Sequence, residues 1–502
     1  MYFNFQNIRN MRKRFETQIQ LGAVPIASIV ISTKSRDEMP PLMRAMKELY
    51  LNEECSEQIF SIMEEKICKG KKKTGRRGMN LWSLFVLAQV RLCLNTNYDR
   101  LHYLANNDTL LRKMLGVHTA FVEGYEFEYQ NIIDNVTLLD DDTLKKINDV
   151  IVSLGHGVFK KKETEALRVK TDTFVVESNV HFPTDINLLW DSGRKCLDMI
   201  KYLIKDDTGN IVGWRKHKDW YRGLKNSMRH LSKVCKRGGS KKQEDIINAA
   251  KAYLNKATAL TIKVTEFLLT YPVTTEQQLL TLIQLEYFVK MLDKHIDLVT
   301  RRLINGEIIP PSEKLYSIFE TYTEWITKGK LRPNVELGKK VGITTDQFNL
   351  IIDYQVVEYT SDVNLMIPLA DRLLTKYQIA SLSADKGGWS KENKALLQLF
   401  IPKVIIPKKG KLNQKEREEE HEGVYKKLRH KHSAIESNIN ELEGNGLDRC
   451  PDRGLHGFKR YVGIAVIAYN LHRIGKVLLE NDRKKLKKKT AILNIAWQKK
   501  AA

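Results

Sequence analysis

Cysteine is scarce and unpaired in this 502-residue chain: Cys55, Cys68, Cys93, Cys196, Cys235 and Cys450 follow no CxxC spacing and no regular interval. That excludes a disulfide scaffold and points to reduced thiols in a cytosolic compartment. A structural zinc needs four ligands, and the one neighbouring pair, Cys450 and His456, supplies only two. Long apolar runs are missing as well. The best, residues 461–469, is half of the about 18 that a membrane span requires. The basic N-terminus (Arg9, Arg12, Lys13, Arg14) leads into an apolar stretch, residues 21–31, but Pro25 interrupts it and no small-residue cleavage site follows within it, so it is not read as a signal peptide. Acids are in deficit. Sixty Asp and Glu stand against 83 Lys and Arg, a net charge of +23, which makes a polyanion the first partner to consider. Ribosome-associated and membrane-surface proteins share such a surplus; here the basic residues cluster while the rest of the chain is near balance.

What is present begins with helical periodicity over residues 40–155. Leu81, Leu84, Phe85, Leu87, Ala88 and Leu92 recur at three- and four-residue steps, and Leu101, Leu104, Leu110, Leu111 and Leu115 continue the pattern to Gly116, placed as a C-cap. A loop reading KGKKKTGRR, residues 69–77, precedes the first of these helices. Short helices behind a basic lead-in suit a helix-turn-helix-like DNA-binding unit, with Lys71, Lys72, Lys73, Arg76 and Arg77 against phosphate. A solvated loop on a helical bundle has the same pattern.

The texture changes at residues 166–180, ALRVKTDTFVVESNV, a β-branched stretch that predicts a strand and sets a domain boundary near residue 155. Helical periodicity returns from 187 to about 305. Within it, residues 215–242 hold eleven Lys and Arg against one acid, Asp219, with Trp214, Trp220 and Tyr221 interleaved. Arg215, Lys216, Lys218, Arg222 and Lys225 suit a phosphate backbone, and the aromatics suit either exposed bases or the core of a solvated helix. Beyond Pro310 and Pro311 the pattern predicts strands at 335–341 and 348–359, a helix at 363–377, a strand at 379–384, a helix at 391–400, a strand at 404–406 and one long helix at 414–442. If the strand around Asp172 joins the later ones, the order is that of an α/β, RNase H-like mixed sheet with a helical N-terminal domain and a large helical insertion between its first two strands.

An acid on a central strand and another at the end of its neighbour can hold Mg²⁺ through oxygen ligands and leave room for phosphate. Asp172 lies within the first strand and Asp385 ends the strand IASLSAD. Glu436, beside the apolar positions Ile435 and Ile439, is placed to look toward the sheet. Each alone has the standing of a capping or surface carboxylate. Asp353, inside the strand pair, is the rival second acid. Asp185 is placed to cap the helix beginning near Asn187.

Three stretches then carry a resemblance: TDTFVVESNVHFPTD at 171–185, ADKGGWSKEN at 384–393, and HSAIESNINELEGNGLDRCPDRGLHGFKRYVGIAVIAYNLHRIG at 432–475. Together they resemble bacterial insertion-sequence transposases of the DDE type, the ISNCY family most of all, over most of the chain. The resemblance implies that Asp172, Asp385 and Glu436 are the catalytic acids and hold two Mg²⁺ or Mn²⁺ ions. It implies a transposase that cuts transposon ends and joins them to target DNA; the alternatives are a derived nuclease, or a DNA-binding regulator without strand transfer. The partner implied is double-stranded DNA, inverted repeats and target alike, bound by a homodimer or higher oligomer in the bacterial cytoplasm at the nucleoid, with no membrane. Relatives place Tyr, Arg and Lys around the glutamate where this chain has Arg429, His432 and Glu443; Arg429 and His432 remain candidates for phosphate, and Lys386, Lys459 and Arg460 for the missing lysine. His181 matches the family motif. The domains expected are 1–155, helical and DNA-binding; 156–186, the start of the catalytic domain; 187–310, a basic helical insertion; 311–480, the rest of the catalytic domain; and 481–502, a flexible basic tail.

Overall fold

The computed structural model describes residues 12–15, 23–70, 78–117, 126–206, 214, 216–239, 241–327 and 334–501. They divide into two compact units, Met1–Asn179 with Gly338–Ala502, and Val180–Leu337.

The first unit opens with helices α1 (Met39–Leu51), α2 (Glu53–Ile67), α3 (Leu81–Cys93), α4 (Tyr98–Asn107), α5 (Thr109–Met114), α6 (Tyr129–Val136) and α7 (Asp141–Val158). Their starts are written in the sequence. The side chains of Asn52, Asn80, Asn97, Asp108 and Asp140 each accept a backbone N–H of the following turn, satisfying donors that the helix leaves open. α3 is buried on every face and therefore needs cover all round. The chain then forms β1 (Leu167–Ser178) and leaves this unit.

The second unit contains α8 (Asp185–Asp206), α9 (His217–Lys236), α10 (Lys242–Thr270), α11 (Glu276–Val299) and the short strand β2 (Glu324–Thr327). Leu189, Ile200, Leu203, Leu231, Tyr253, Leu260 and Leu292 form its core, so this stretch is helical as its periodicity predicts. One detail differs. α8 begins at Asp185 itself, so Asp185 is not its cap: its carboxylate accepts from Arg302 at 2.7 Å, and the Thr184 hydroxyl takes the Asn187 N–H.

Back in the first unit come β3 (Val335–Thr345), β4 (Ile351–Val356), α12 (Asp362–Leu374), β5 (Ile379–Ala384), α13 (Lys391–Phe400) and β6 (Lys403–Ile405). β1 is central. It pairs antiparallel with β3 on one edge and parallel with β5 on the other; β4 continues antiparallel beyond β3, and β6 parallel beyond β5. The single long helix expected over 414–442 is three: α14 (Gln414–His421), α15 (Gly423–His432) and α16 (Ala434–Leu442). The backbone of Glu422 turns extended (ψ 136) ahead of Gly423, which ends the first, and Ser433 separates the other two. Gly446, at φ +105, then turns the chain into β7 (Arg449–Cys450), which pairs with the end of β1.

The last element, α17 (Gly454–Ala501), is 48 residues long. Its first part, Gly454–Thr490, is the one helix among the described residues long and apolar enough to cross a membrane, and 83% of its apolar window is buried in protein. α1, α3 and α7 pack on it. A Cβ on Gly475 would lie 1.8 Å from the Pro41 carbonyl oxygen, so the approach of α1 to α17 requires glycine there. Residues 1–155 are accordingly part of a larger compact unit that includes the far end of the chain. Nor is the basic tail loose where it is described: α17 runs through it as helix, with Lys484 paired to Glu480 at 2.7 Å and Asp482 to Arg44 at 2.8 Å.

Candidate active site

Register places the two aspartates. Thr171 of β1 lies opposite Ala384 of the parallel strand β5, so Asp172 and Asp385 follow at the same level of adjacent strands. Both line one cavity, together with Thr173, Asp353, Asp362 and Arg372. Thr171 turns inward, its hydroxyl donating to Ile343 O at 3.1 Å, and anchors the strand beside the acid.

Asp172 is half-buried, and its Oδ1 accepts the Thr173 N–H at 2.7 Å. Burial, followed by the negative fields of Asp385, Glu436 and Asp362, pushes its carboxyl up to about 6, against the lowering effect of that hydrogen bond. Asp385 is exposed at the end of β5, where its carboxylate caps the short turn Lys386–Gly388 by accepting the Gly387 N–H. A Cβ on Gly387 would stand 2.9 Å from Asp385 Oδ1 and 3.1 Å from Asp362 Oδ2, so these two carboxylates face the same bare backbone. Glu436 sits in the first turn of α16, exposed, next to buried Ile435; Ile435, Ile439 and Leu442 are buried as α16 packs on β1 and α17. It does not line the cavity that holds the aspartates, and it lies within electrostatic range of Asp172.

The acids are drawn toward one region without closing on a point. Among the described residues, no three His, Cys, Asp or Glu side chains are close enough as placed to enclose a metal ion. The donors on offer are carboxylates and a threonine hydroxyl, the hard oxygen set that suits Mg²⁺ or Mn²⁺. Mutual repulsion among such acids is the state that a divalent cation relieves.

The rival acid is committed elsewhere. Asp353 accepts two hydrogen bonds from Arg372, at 2.8 and 3.3 Å, a forked pair that satisfies both its oxygens. Asp362, which the sequence reading did not single out, instead stands among the site's acids. It opens α12, accepting from Lys340 Nζ at 3.1 Å and from Thr173 Oγ1 at 3.3 Å. The one sequence signal was its place at the start of a helix following Ser361.

The basic candidates divide. Lys71, Lys72, Lys73, Arg76, Arg77 and Arg215 lie outside the described residues. Lys216 is exposed ahead of α9, and Lys218, Arg222 and Lys225 recur along α9 with Arg229, Lys233 and Lys236, at three- and four-residue steps opposite buried Leu224, Leu231 and Val234. Asp219 lies 4.0 Å from Arg222. The aromatics between them serve the core: Trp214 is buried against Phe267, and Tyr221 packs edge-on to Trp190. Arg429 reaches Glu420 at 3.5 Å. His432 is half-buried, with Nδ1 3.2 Å from Ser383 Oγ, and burial lowers its pKa, so at neutral pH the ring is uncharged. Of the residues named for the missing lysine, Lys386 is exposed, Lys459 pairs with Glu358 at 2.6 Å, and Arg460 is buried against Asp452. In the second unit, His181 bonds both ring nitrogens, to Asp191 and to the Phe182 carbonyl, which makes it a structural hydrogen-bonder.

Residues 314–471 match the family model of the transposase DDE domain. The match includes Asp385 and Glu436 and begins after Asp172. No curated protein and no solved structure matches the chain.

Proposed function

We propose that this chain is a DDE transposase of an insertion sequence, of the ISNCY group that its motifs resemble, built on an RNase H-like catalytic domain. The observation that carries the reading is the placing of Asp172 and Asp385 at one level of adjacent parallel strands, with Glu436 on a helix packed against the same strand, in a chain whose residues 314–471 match a transposase DDE domain. Within the seven-stranded sheet, the neighbours β3-β1-β5-β6, with β4 also paired to β3 and with β3 antiparallel to both β1 and β4 while β5 and β6 continue parallel to β1, support the RNase H-like assignment.

In this mechanism Asp172, Asp385 and Glu436 hold two Mg²⁺ or Mn²⁺ ions, which supply charge neutralisation and activation of the attacking oxygen. The sheet fixes the aspartates at one level, and the packing of α16 on β1 sets the glutamate within electrostatic range of Asp172. The Thr173 N–H holds the Asp172 carboxylate in a defined rotamer. Water attacks the phosphodiester at the transposon end, and the freed 3′-hydroxyl then attacks target DNA; both are in-line phosphoryl transfers that one site can serve. The partner is double-stranded DNA, and the active form is a homodimer or larger assembly on it.

Incubating the full chain with Mg²⁺ and a duplex carrying its element's terminal repeat tests this directly. Nicking at the repeat end and covalent joining to a second duplex are expected. Cleavage without joining identifies a derived nuclease; specific binding with neither identifies a regulator.

The cations on the face of α9 opposite its buried leucines are proposed to track a phosphate backbone. Changing Lys218, Arg222, Lys225 and Arg229 to Gln should lower the slope of log affinity against log salt by roughly 3 to 4, one counterion for each lost contact. A slope unchanged by the four substitutions removes α9 from the DNA interface.

A further inference from the structure

We propose that Asp362 is a positioning residue for divalent-metal binding by Asp172 and Asp385, with Lys340 as its counter-ion. The inference rests on the metal-dependent reading of the site and adds two residues to it.

A continuous chain of contacts joins these residues. Lys340 is set on β3 opposite Val175 of β1, and its Nζ donates to Asp362 Oδ1 at 3.1 Å. The same oxygen accepts from Thr173 Oγ1 at 3.3 Å, and the Thr173 N–H donates to Asp172 Oδ1 at 2.7 Å. Asp362 therefore holds the residue that holds Asp172. Its other oxygen, Oδ2, points to the bare Cα of Gly387, across which lies Asp385 Oδ1. A side chain at residue 387 would fill that space, so glycine keeps it open between the two carboxylates. α12, which carries Asp362, packs on the turn that Asp385 caps.

Electrostatics gives the pair its purpose. Asp362 adds a fourth negative charge to a group that already raises the Asp172 carboxyl. The side chains of Lys340 and Asp362 are 27% and 32% exposed, so as an ion pair open to water they stabilise the fold little. Beside an acidic cavity the same lysine has another effect: it balances part of the negative charge when no cation is bound. Carboxylates that orient metal ligands typically change affinity by about ten- to hundredfold when neutralised.

The test is a Mn²⁺ titration of the full chain without DNA, following free Mn²⁺ by electron paramagnetic resonance, with thermal unfolding as a control for folding. Asp362→Asn should weaken Mn²⁺ binding by about ten- to hundredfold. Lys340→Met, which removes the balancing charge, should tighten it several-fold. Thr173→Val should weaken binding, while Thr173→Ser, which keeps the hydroxyl, should restore it. A merely structural pair predicts instead that Asp362→Asn and Lys340→Met both lower the melting temperature and leave Mn²⁺ affinity unchanged. That result, with Asp172→Asn still losing Mn²⁺, overturns the positioning role and leaves the metal site standing. Wild-type affinity in Asp172→Asn overturns the metal site itself.

Discussion

Asp172→Asn is expected to abolish DNA cleavage and, in the same protein freed of metal, to raise the unfolding temperature. The two effects share one cause. Burial and the nearby acids lift the Asp172 carboxyl from 3.8 to about 6 in the folded chain, so the fold prefers this group protonated. The sign follows from linkage. The stabilisation is complete below about 3.8 and is lost as pH rises through about 6, where the folded state is forced to carry a charge that it disfavours. At pH 7.5 the asparagine variant should be more stable than wild type by about 2–3 kcal/mol, an upper range set by two pKa units. Well below 3.8, near pH 3, the difference should vanish. Asparagine keeps the carbonyl acceptor for the Thr173 N–H but cannot serve as an anionic ligand, so cleavage should fall by about 10³-fold or more, the scale of losing a group that acts with others as one unit. Asp385→Asn and Glu436→Gln should lose cleavage equally. Asp385 is exposed, and asparagine caps a turn as well as aspartate, so its stability should move by less than about 0.5 kcal/mol. Cleavage by Asp385→Asn at a near-normal rate would remove it from the metal site. An Asp172→Asn protein that melts lower than wild type at pH 7.5 would show that the carboxylate is not under strain.

Why the sequence disclosed these acids but not their neighbours is a matter of range. β1 is a largely buried strand that announces itself by its β-branched run, and β5, IASLSA, by a short run of small and apolar residues; neither needs a partner to be recognised. Acids inside or just after them are therefore conspicuous, as Asp172 and Asp385 are. Asp362 gives no such signal, since an acid at the start of a helix is ordinary capping chemistry, and its link to Thr173 spans 189 residues. The break at Ser433 was hidden for another reason: apolar residues continue at helical intervals across it, from Leu428 to Ile435 and Ile439, while that at Glu422 follows a wholly polar stretch, QKEREEEH, whose strong helix formers give no sign of a stop. The N-terminal helices show the same limit. Their periodicity is plain, but an α3 that is mostly apolar records only that something must cover it, and what covers it, α17, begins some 360 residues later.

That covering contact carries the last prediction, Asp452→Ala. Asp452 follows β7, and its carboxylate sits between two arginines: Arg91 of α3, at 2.6 and 3.3 Å, and Arg460 of α17, at 3.1 Å. The side chains are only 3%, 7% and 8% exposed for Arg91, Asp452 and Arg460, so water cannot replace a lost partner. Arg91 also lies over the Tyr98 ring at 4.0 Å, and Arg460 donates to the Thr137 carbonyl at 3.3 Å, so each cation has other contacts, but none of opposite charge among the described residues. Removing the carboxylate leaves two guanidinium groups buried together. Breaking a buried pair in this way typically costs about 3–5 kcal/mol, far more than the intact pair contributes over an apolar replacement. Asp452→Ala should therefore lose about that much unfolding free energy in urea, while Arg91→Met, which leaves Asp452 paired to Arg460, should lose less. The functional signature differs from that of the acids in the cavity. Asp452 ties α3 to the segment between α16 and α17, so its loss should loosen the N-terminal helices and the position of Glu436 together, lowering DNA binding and cleavage in parallel. Asp385→Asn should lower cleavage alone. If Asp452→Ala unfolds within about 1 kcal/mol of wild type, the buried cluster is not what joins these helices to the catalytic sheet, and the apolar packing of α1, α3 and α7 on α17 must suffice.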